Sequence, residues 1–565
     1  MQSTNLKRLI FWCLPVILLV WWRGHTFGPI VLEKTGLQFW PVVKGRSEPL
    51  DCDESAYGYM GRRQIEGKAL YKDLTEYKPP VGYWYYAIGV GIGGASELTI
   101  RLMILPVLIA NLCLIGSILK CSGKPAGAFA GMMVFVLLST DPYVYANGSN
   151  LEHLMNLGLT AAIYAVLRTE KSGQGGLWLV ISGVFLGLSA AVKQVCILGM
   201  IPLVIHVLVK NGPIAIKGRK ILQLSAGFAI PWLIAGLILG FQGALADAWQ
   251  DVVQYSRTMA ANTPPDANAP PWFYRWLTGN ADPRNGRLPW PFGRTDWLVW
   301  WGTGSWPIGI ATVFNLLFSL KYQRNAIGSI RTLVATMWLA CWGMIVLPGL
   351  YWQHYYMLLG PGGALLSGFF MSGLMDSLQS AGRWTKKIGL SLALGLYLLA
   401  ISMTFAIQVQ DYLMVPAEQL TIRYKGGAQW VSLRLLSEDI ARRVESWSPR
   451  PRLEMWGWQS PILYYANLDA PSPYFFTDPL MKVLALKDDA LIRQRLERLT
   501  VDLEASRPEL VFCGDAPFPR LKALLDRDYL ASSMVPSAPD GRGFFVRRDL
   551  YQKFHSPEFQ KNIVK

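Results

Sequence analysis

The chain has 565 residues, 52% hydrophobic and only 16% charged, with 23 tryptophans and a mean hydropathy of +0.25. That charge content is too low for an ordinary soluble globular protein and points to a polytopic membrane protein. The net charge of +16 does not mark a nucleic-acid binder, because the basic residues fall in short connections between apolar runs rather than on one soluble face.

A helix crossing about 30 Å of hydrocarbon needs about 20 apolar residues. Segments near that length recur at 9–22, 99–119, 125–139, 152–168, 176–191, 195–209, 221–240, 297–319, 331–350, 355–375 and 387–407, which predicts about eleven transmembrane helices. The first follows Lys7 and Arg8 and ends in Val20-Trp21-Trp22-Arg23. With no small-residue cleavage site and an interfacial pair of tryptophans, it is expected to be a retained anchor.

Lysine and arginine divide between the two sides. With a cytoplasmic N-terminus, that side gathers Lys120, Lys124, Arg168, Lys171, Lys210, Lys217, Arg219, Lys220, Lys321, Arg324, Arg331, Arg383, Lys386 and Lys387. The short opposite loops hold Lys193 and little else. The positive-inside rule then places the loop 23–98, the loop 241–296 and everything after 408 outside the cytoplasm. The basic side also faces anionic membrane lipids.

Ionisable residues concentrate in the first loop, between Asp51 and Tyr86. From Asp53 to Glu66, Ala56, Tyr57, Met60 and Ile65 alternate with charges, which predicts a short amphipathic helix lying in the interface plane and ended by Gly67. Tyr71-Lys72-Asp73 turns the chain, and Lys78-Pro79-Pro80 opens a new helix carrying the aromatic run Tyr83 to Tyr86. The next span is expected to begin after Arg101. Glu152 and His153 open a later span, Lys193 interrupts an apolar run, and His354-Tyr355-Tyr356 starts another. By the charge topology all of these lie toward the same outer face.

The loop 241–296, with Pro264-Pro265, Pro270-Pro271 and Trp272-Phe273-Tyr274, suits an external flap. From 408 the composition turns polar. Leu453 to Trp456, Glu509 to Phe512 and Gly543 to Val546 are predicted strands, and Ala490 to Ala505 an amphipathic helix. The chain therefore divides into a transmembrane domain, 1–407, and a soluble α/β domain, 408–565, of about 150 residues. Cys52 and Cys513 share the outer compartment, but nothing in their spacing demands a disulfide.

Asp53-Glu54, Tyr57, Gly67, Leu70-Tyr71, Asp73 and Lys78-Pro79-Pro80 resemble the first extracytoplasmic loop of GT-C membrane glycosyltransferases. The branch is that of the protein O-mannosyltransferases and the bacterial aminoarabinose transferase of lipid A. Gly187 to Gln194, Gln353-His354-Tyr355-Tyr356, Met455-Trp456-Gly457-Trp458 and Tyr464-Tyr465 extend the similarity over nearly the whole chain in the same order. The resemblance implies a GT-C α-helical fold with the external α/β domain appended, a polyprenyl-phosphate-linked sugar donor, inverting transfer and a catalytic carboxylate in the first loop. It also implies a bacterial inner-membrane location, with the site and the C-terminal domain facing the periplasm.

The chemistry assigns roles. An acceptor hydroxyl or amine attacking the anomeric carbon needs a general base; Asp53 is the candidate, with Glu54 orienting the acceptor or sharing its proton. The same acids also have a plainer use, as N-terminal charges favoured by a helix dipole. A polyprenyl phosphate leaves as an anion, so a cation suffices in place of a general acid. Lys78 is placed there, with Arg62, Arg63 and Lys193 as further phosphate-binding candidates. Tyr57, Arg101, Glu152, His153, His354 and Tyr355 are candidate substrate contacts. No cofactor is called for, and Asp51-x-Asp53 fits a polar turn better than a metal-binding DxD. The acceptor is a lipid, a glycan or a protein. The rival readings are a polysaccharide polymerase or ligase, and a lipid-linked-sugar transporter, which would carry ionisable groups in mid-membrane.

Overall fold

The computed structural model describes residues 2–38, 45–171, 175–257, 329–348, 352–380, 382, 384–425, 427–476, 480, 490–535 and 537–555. Apolar content and length make the helices. α1 (Gln2–Trp22) and α2 (Gly24–Thr35) form a pair bent by 66°. α3 (Cys52–Ile65) and α4 (Val81–Gly93) lie in the first loop, as the helix signals there predicted. α5 (Glu97–Cys121), α6 (Pro125–Leu138), α7 (Glu152–Thr169), α8 (Gly175–Val192), α9 (Met200–Val209) and α10 (Ile214–Phe241) follow. Helices Ile330–Val346, Leu359–Gln379 and Trp384–Met414 complete the described bundle.

Ten of the eleven predicted spans coincide with helices; the segment 297–319 and most of the flap 241–296 lie outside the described residues. Among the described residues five helices are long and apolar enough to cross a membrane, or six with the bent pair taken as one span. Pro125–Leu138, Gln194–Val209 and Ile330–Ile345 are apolar but shorter. α5 starts at Glu97, because Ser96 accepts the Thr99 N–H and caps the helix. Arg101 is therefore inside the helix and fully buried, not ahead of it.

Helices in lipid associate through close packing rather than apolar burial, and small residues provide it here. A Cβ on Gly183 of α8 would lie 2.0 Å from the Leu224 carbonyl oxygen of α10, and one on Gly127 of α6 would lie 2.0 Å from the Gly368 oxygen. Either substitution would force backbones apart.

α3 does not lie flat on a surface. Residues Glu54 to Arg62 are buried. Gly58 lets the Tyr464 ring in, where a Cβ would come within 2.6 Å, and Gly61 admits the Tyr86 backbone at 3.0 Å. Of the charges that suggested an interfacial helix, Glu54, Arg62 and Arg63 have protein partners and little solvent.

After Met414, helices Ala417–Tyr424 and Gln429–Val444 lead to a four-stranded sheet ordered β1-β2-β4-β3. β1 (Leu453–Trp456) runs parallel to β2 (Leu510–Cys513), connected through helix Ala490–Ser506, as a parallel pair requires. β4 (Gly543–Arg547) pairs antiparallel with β2 and with β3 (Tyr529–Ala531). The division set at 407/408 falls within helix Trp384–Met414. One apolar core runs from the bundle through α3 into this sheet, taking in Leu108, Met60, Ile462 and Phe512. Cys513 is a buried free thiol.

Candidate active site

Asp51 caps α3: its Oδ1 accepts the Glu54 N–H at 2.9 Å, and Glu54 Oε2 accepts the Asp51 N–H at 3.2 Å. This reciprocal box fixes the first turn. Successive helical residues point about 100° apart, so Asp53 and Glu54 face different neighbourhoods.

Asp53 stays partly open to solvent. Its side chain is 23% exposed, and its Oδ2 lies 3.9 Å from His354 Nε2. The same His354 nitrogen is 3.9 Å from Glu152 Oε1. Glu152, at the start of α7, accepts Lys193 Nζ at 3.0 Å. Lys193 sits in the break between α8 and the 3₁₀ turn Gln194–Gly199, with extended backbone, and its ammonium lies 3.4 Å from the centre of the Tyr355 ring. Tyr57, one turn after Asp53 on the same face, has Asp53, Lys78 and Glu152 as charged neighbours. Lys78 Nζ lies 5.5 Å from the Tyr57 ring centre and 5.0 Å from that of Tyr77. Its nearest carboxylate, Glu76, is at 3.9 Å. Burial works against the Lys78 charge, but Glu76 and the surrounding Tyr57 and Tyr77 outweigh it and hold the ammonium protonated.

Glu54 faces the other way and is fully buried. Its carboxylate accepts from Arg101 Nη1 and from the Ser149 N–H at 2.6 Å, with Lys425 Nζ at 3.6 Å. Glu48 joins the cluster, 3.1 Å from Lys425 and bonded to Asn147 Nδ2 at 2.9 and 2.8 Å. Burial pushes the Glu54 carboxyl up, but Arg101, Lys425 and the Ser149 N–H outweigh it and hold it down at about 2. Asp51 goes the other way: burial and the Glu54 charge push it up to about 7.

The structure thus gathers Asp53, Tyr57, Lys78, Glu152, Lys193, His354 and Tyr355 into one connected group. It separates five other candidates from it. Glu54 and Arg101 neutralise each other in the closed cluster and cannot orient an acceptor. Arg62 pairs with Asp469 at 2.9 Å and donates to the Leu468 carbonyl at 2.6 Å; Arg63 pairs with Asp469 at 2.9 Å and with Glu66. Both therefore fasten the segment after β1 to α3 rather than meeting a phosphate. His153 points away from Glu152, its Nε2 3.1 and 3.2 Å from the Ala146 and Gly148 carbonyl oxygens. Lys193 joins the group with its charge already matched by Glu152. Tyr77, Glu76 and Lys425 had not been singled out; Tyr77 carried a local signal, adjacency to Lys78 in the same aromatic-rich loop. Among the described residues no group of three or more His, Cys, Asp or Glu side chains converges as ligands of a metal would.

Comparison with known proteins bears on the fold. The family described as dolichyl-phosphate-mannose-protein mannosyltransferase matches residues 77–239, a stretch holding Lys78, Glu152 and Lys193. No curated protein matches in sequence. Among solved structures, ArnT from Cupriavidus metallidurans bound to undecaprenyl phosphate is similar, with a TM-score of 0.53 and 14% identity over 95% of this chain and 97% of that one. Its apo state gives 0.54 and 14%, over 96% and 98%. The Archaeoglobus fulgidus oligosaccharyltransferase tethered to an acceptor peptide gives 0.50 and 13%, over 96% of this chain and 74% of that one. The chain is an integral membrane protein with the GT-C fold, resembling the protein O-mannosyltransferase and ArnT branch of that superfamily.

Proposed function

We propose that the protein is a glycosyltransferase that moves a sugar from a polyprenyl-phosphate donor to an acceptor outside the cytoplasm, with inversion. The observation that carries this reading is the juxtaposition of a partly exposed carboxylate, Asp53, and a protonated lysine, Lys78, around Tyr57. The acceptor O–H or N–H attacks the anomeric carbon, its proton passes to Asp53, and the bond from that carbon to the phosphate oxygen breaks. The electron pair leaves on the polyprenyl phosphate, whose growing charge Lys78 meets. His354, between Asp53 and Glu152, aligns the base. Lys193, matched by Glu152 at 3.0 Å, supports His354 and Tyr355, and among the described residues Lys78, with Glu76 farther off at 3.9 Å, is the cation assigned to phosphate. The matched family and the ArnT likeness support a lipid monophosphate donor, and the basic connections support an inner membrane with the site facing outward.

The test uses purified full-length protein with a panel of polyprenyl-phosphate-linked sugars, and with envelope membranes from a deletion strain as acceptor. Transfer from one of these donors, and none from nucleotide sugars, is the expected result. Efficient transfer from a nucleotide sugar without a lipid intermediate would overturn the reading.

A further inference from the structure

Lys425 is the least expected member of the cluster beneath α3. It belongs to the chain that leaves the last described helix of the bundle, just after helix Ala417–Tyr424, and its side chain is 1% exposed. It is held from behind: its N–H reaches the Thr421 carbonyl at 2.8 Å, and its own carbonyl accepts Trp430 Nε1 at 2.6 Å. Its ammonium lies 3.1 Å from Glu48, 3.6 Å from Glu54 and 3.9 Å from Asp51. None of these contacts has the direction of a hydrogen bond, so it acts as a point charge shared by three carboxylates.

We propose that Lys425 is a positioning residue for the catalytic base: the C-terminal chain inserts one ammonium beneath the first turn of α3, and that charge holds Asp53 toward His354. Two of the three carboxylates it bridges, Asp51 and Glu54, form the capping box of the turn that carries Asp53. With Lys425 present, Glu48, Asp51 and Glu54 are set against three buried cations, Lys425, Arg101 and Arg23. Without it two cations face three acids, like charges repel at short range, and the box is the softest place to yield. The turn then rotates or frays, and Asp53 moves with it.

The inference rests on Asp53 being the base, so Asp53→Asn is run in parallel on the full-length protein, with the donor that works best in the panel and the same membranes as acceptor. Lys425→Met is expected to lower kcat by roughly 10- to 10²-fold, the range for a small misplacement of a reacting group, with the donor KM unchanged because Lys78 is untouched. Glu48→Gln combined with Lys425→Met rebalances the cluster and is expected to recover most of kcat. This pair also serves if Lys425→Met alone does not fold, as does Lys425→Arg, which keeps the charge and is expected to keep much of the turnover. Normal kcat in Lys425→Met beside an inactive Asp53→Asn overturns the proposal and leaves the function standing. So does a loss confined to the yield of folded protein at normal specific activity, or a double variant that recovers nothing. Normal turnover in Asp53→Asn removes the base itself, and the proposal with it.

Discussion

Asp53 and Glu54 are neighbours in sequence and opposites in setting. Glu54 is enclosed, with Arg101, Lys425 and a backbone N–H on its oxygens. Asp53 keeps partial access to solvent, and the His354 ring, charged only when protonated, stands 3.9 Å away. A carboxylate saturated with cations and donors gives up its basicity to stability, whereas one with its counter-charges at a distance can still take a proton. One helix turn therefore holds an enclosed anchor and a partly exposed acid, the one proposed as base, and the face each occupies decides its setting.

The comparison can be broken most directly at Asp53. Asp53→Asn keeps the shape and removes the proton acceptor, so turnover should fall at least about 10²-fold, while the melting temperature in detergent stays near that of the parent. Equal turnover would move the chemistry off this face. Glu54→Gln should do the reverse. It strips Arg101 and Lys425 of a partner, and breaking a buried pair costs about 3–5 kcal/mol, read as a lower melting temperature and poor yield. A well-folded Glu54→Gln protein with slow chemistry would show that the two acids had been assigned the wrong way round.

Lys78→Ala sharpens the open face. Loss of a charge-assisted contact of about 1.5–3 kcal/mol should raise the donor KM by about tenfold or more, and Lys78→Arg should restore only part, because a planar fork replaces a compact ammonium. Asp51 gives the smallest effect, through pH. Its folded carboxyl is raised from the ordinary 3.8 to about 7. Below that ordinary value both states hold the proton. Between it and about 7 the folded state alone does, so stability falls as pH rises through that window and the loss is complete above it. Asp51→Asn, which can still cap the helix, should flatten this slope in melting temperatures measured from pH 5 to 8.

The bundle was legible because hydropathy is a local property: the apolar runs around Leu108, Val180 and Leu365 are helices wherever the structure describes them. The first loop was legible because its charges stand out in a charge-poor chain, and the Lys-Pro-Pro start of α4 follows from proline chemistry. Which way each charge points was not legible. Arg62 and Arg63 resemble phosphate ligands until Asp469, some four hundred residues away, is seen to hold them. Arg101 was placed outside its helix, although Ser96, three residues before Thr99, offered a cap signal that moves the start to Glu97. Lys425 gave no signal at all, since a single lysine in a polar stretch is ordinary until the fold buries it.

The contacts that complete α3 carry a consequence for biosynthesis. Ser55 meets Ser460, Arg62 meets Asp469 and Glu54 meets Lys425, each across a sequence separation of more than 350 residues. A ribosome delivers α3 early and these supports hundreds of residues later. Until Lys425, Ser460 and Asp469 have been made and have packed in place, α3 lacks the partners that bury its charges. The first loop therefore cannot settle into the setting seen here by local folding alone, and its order depends on the later parts of the chain.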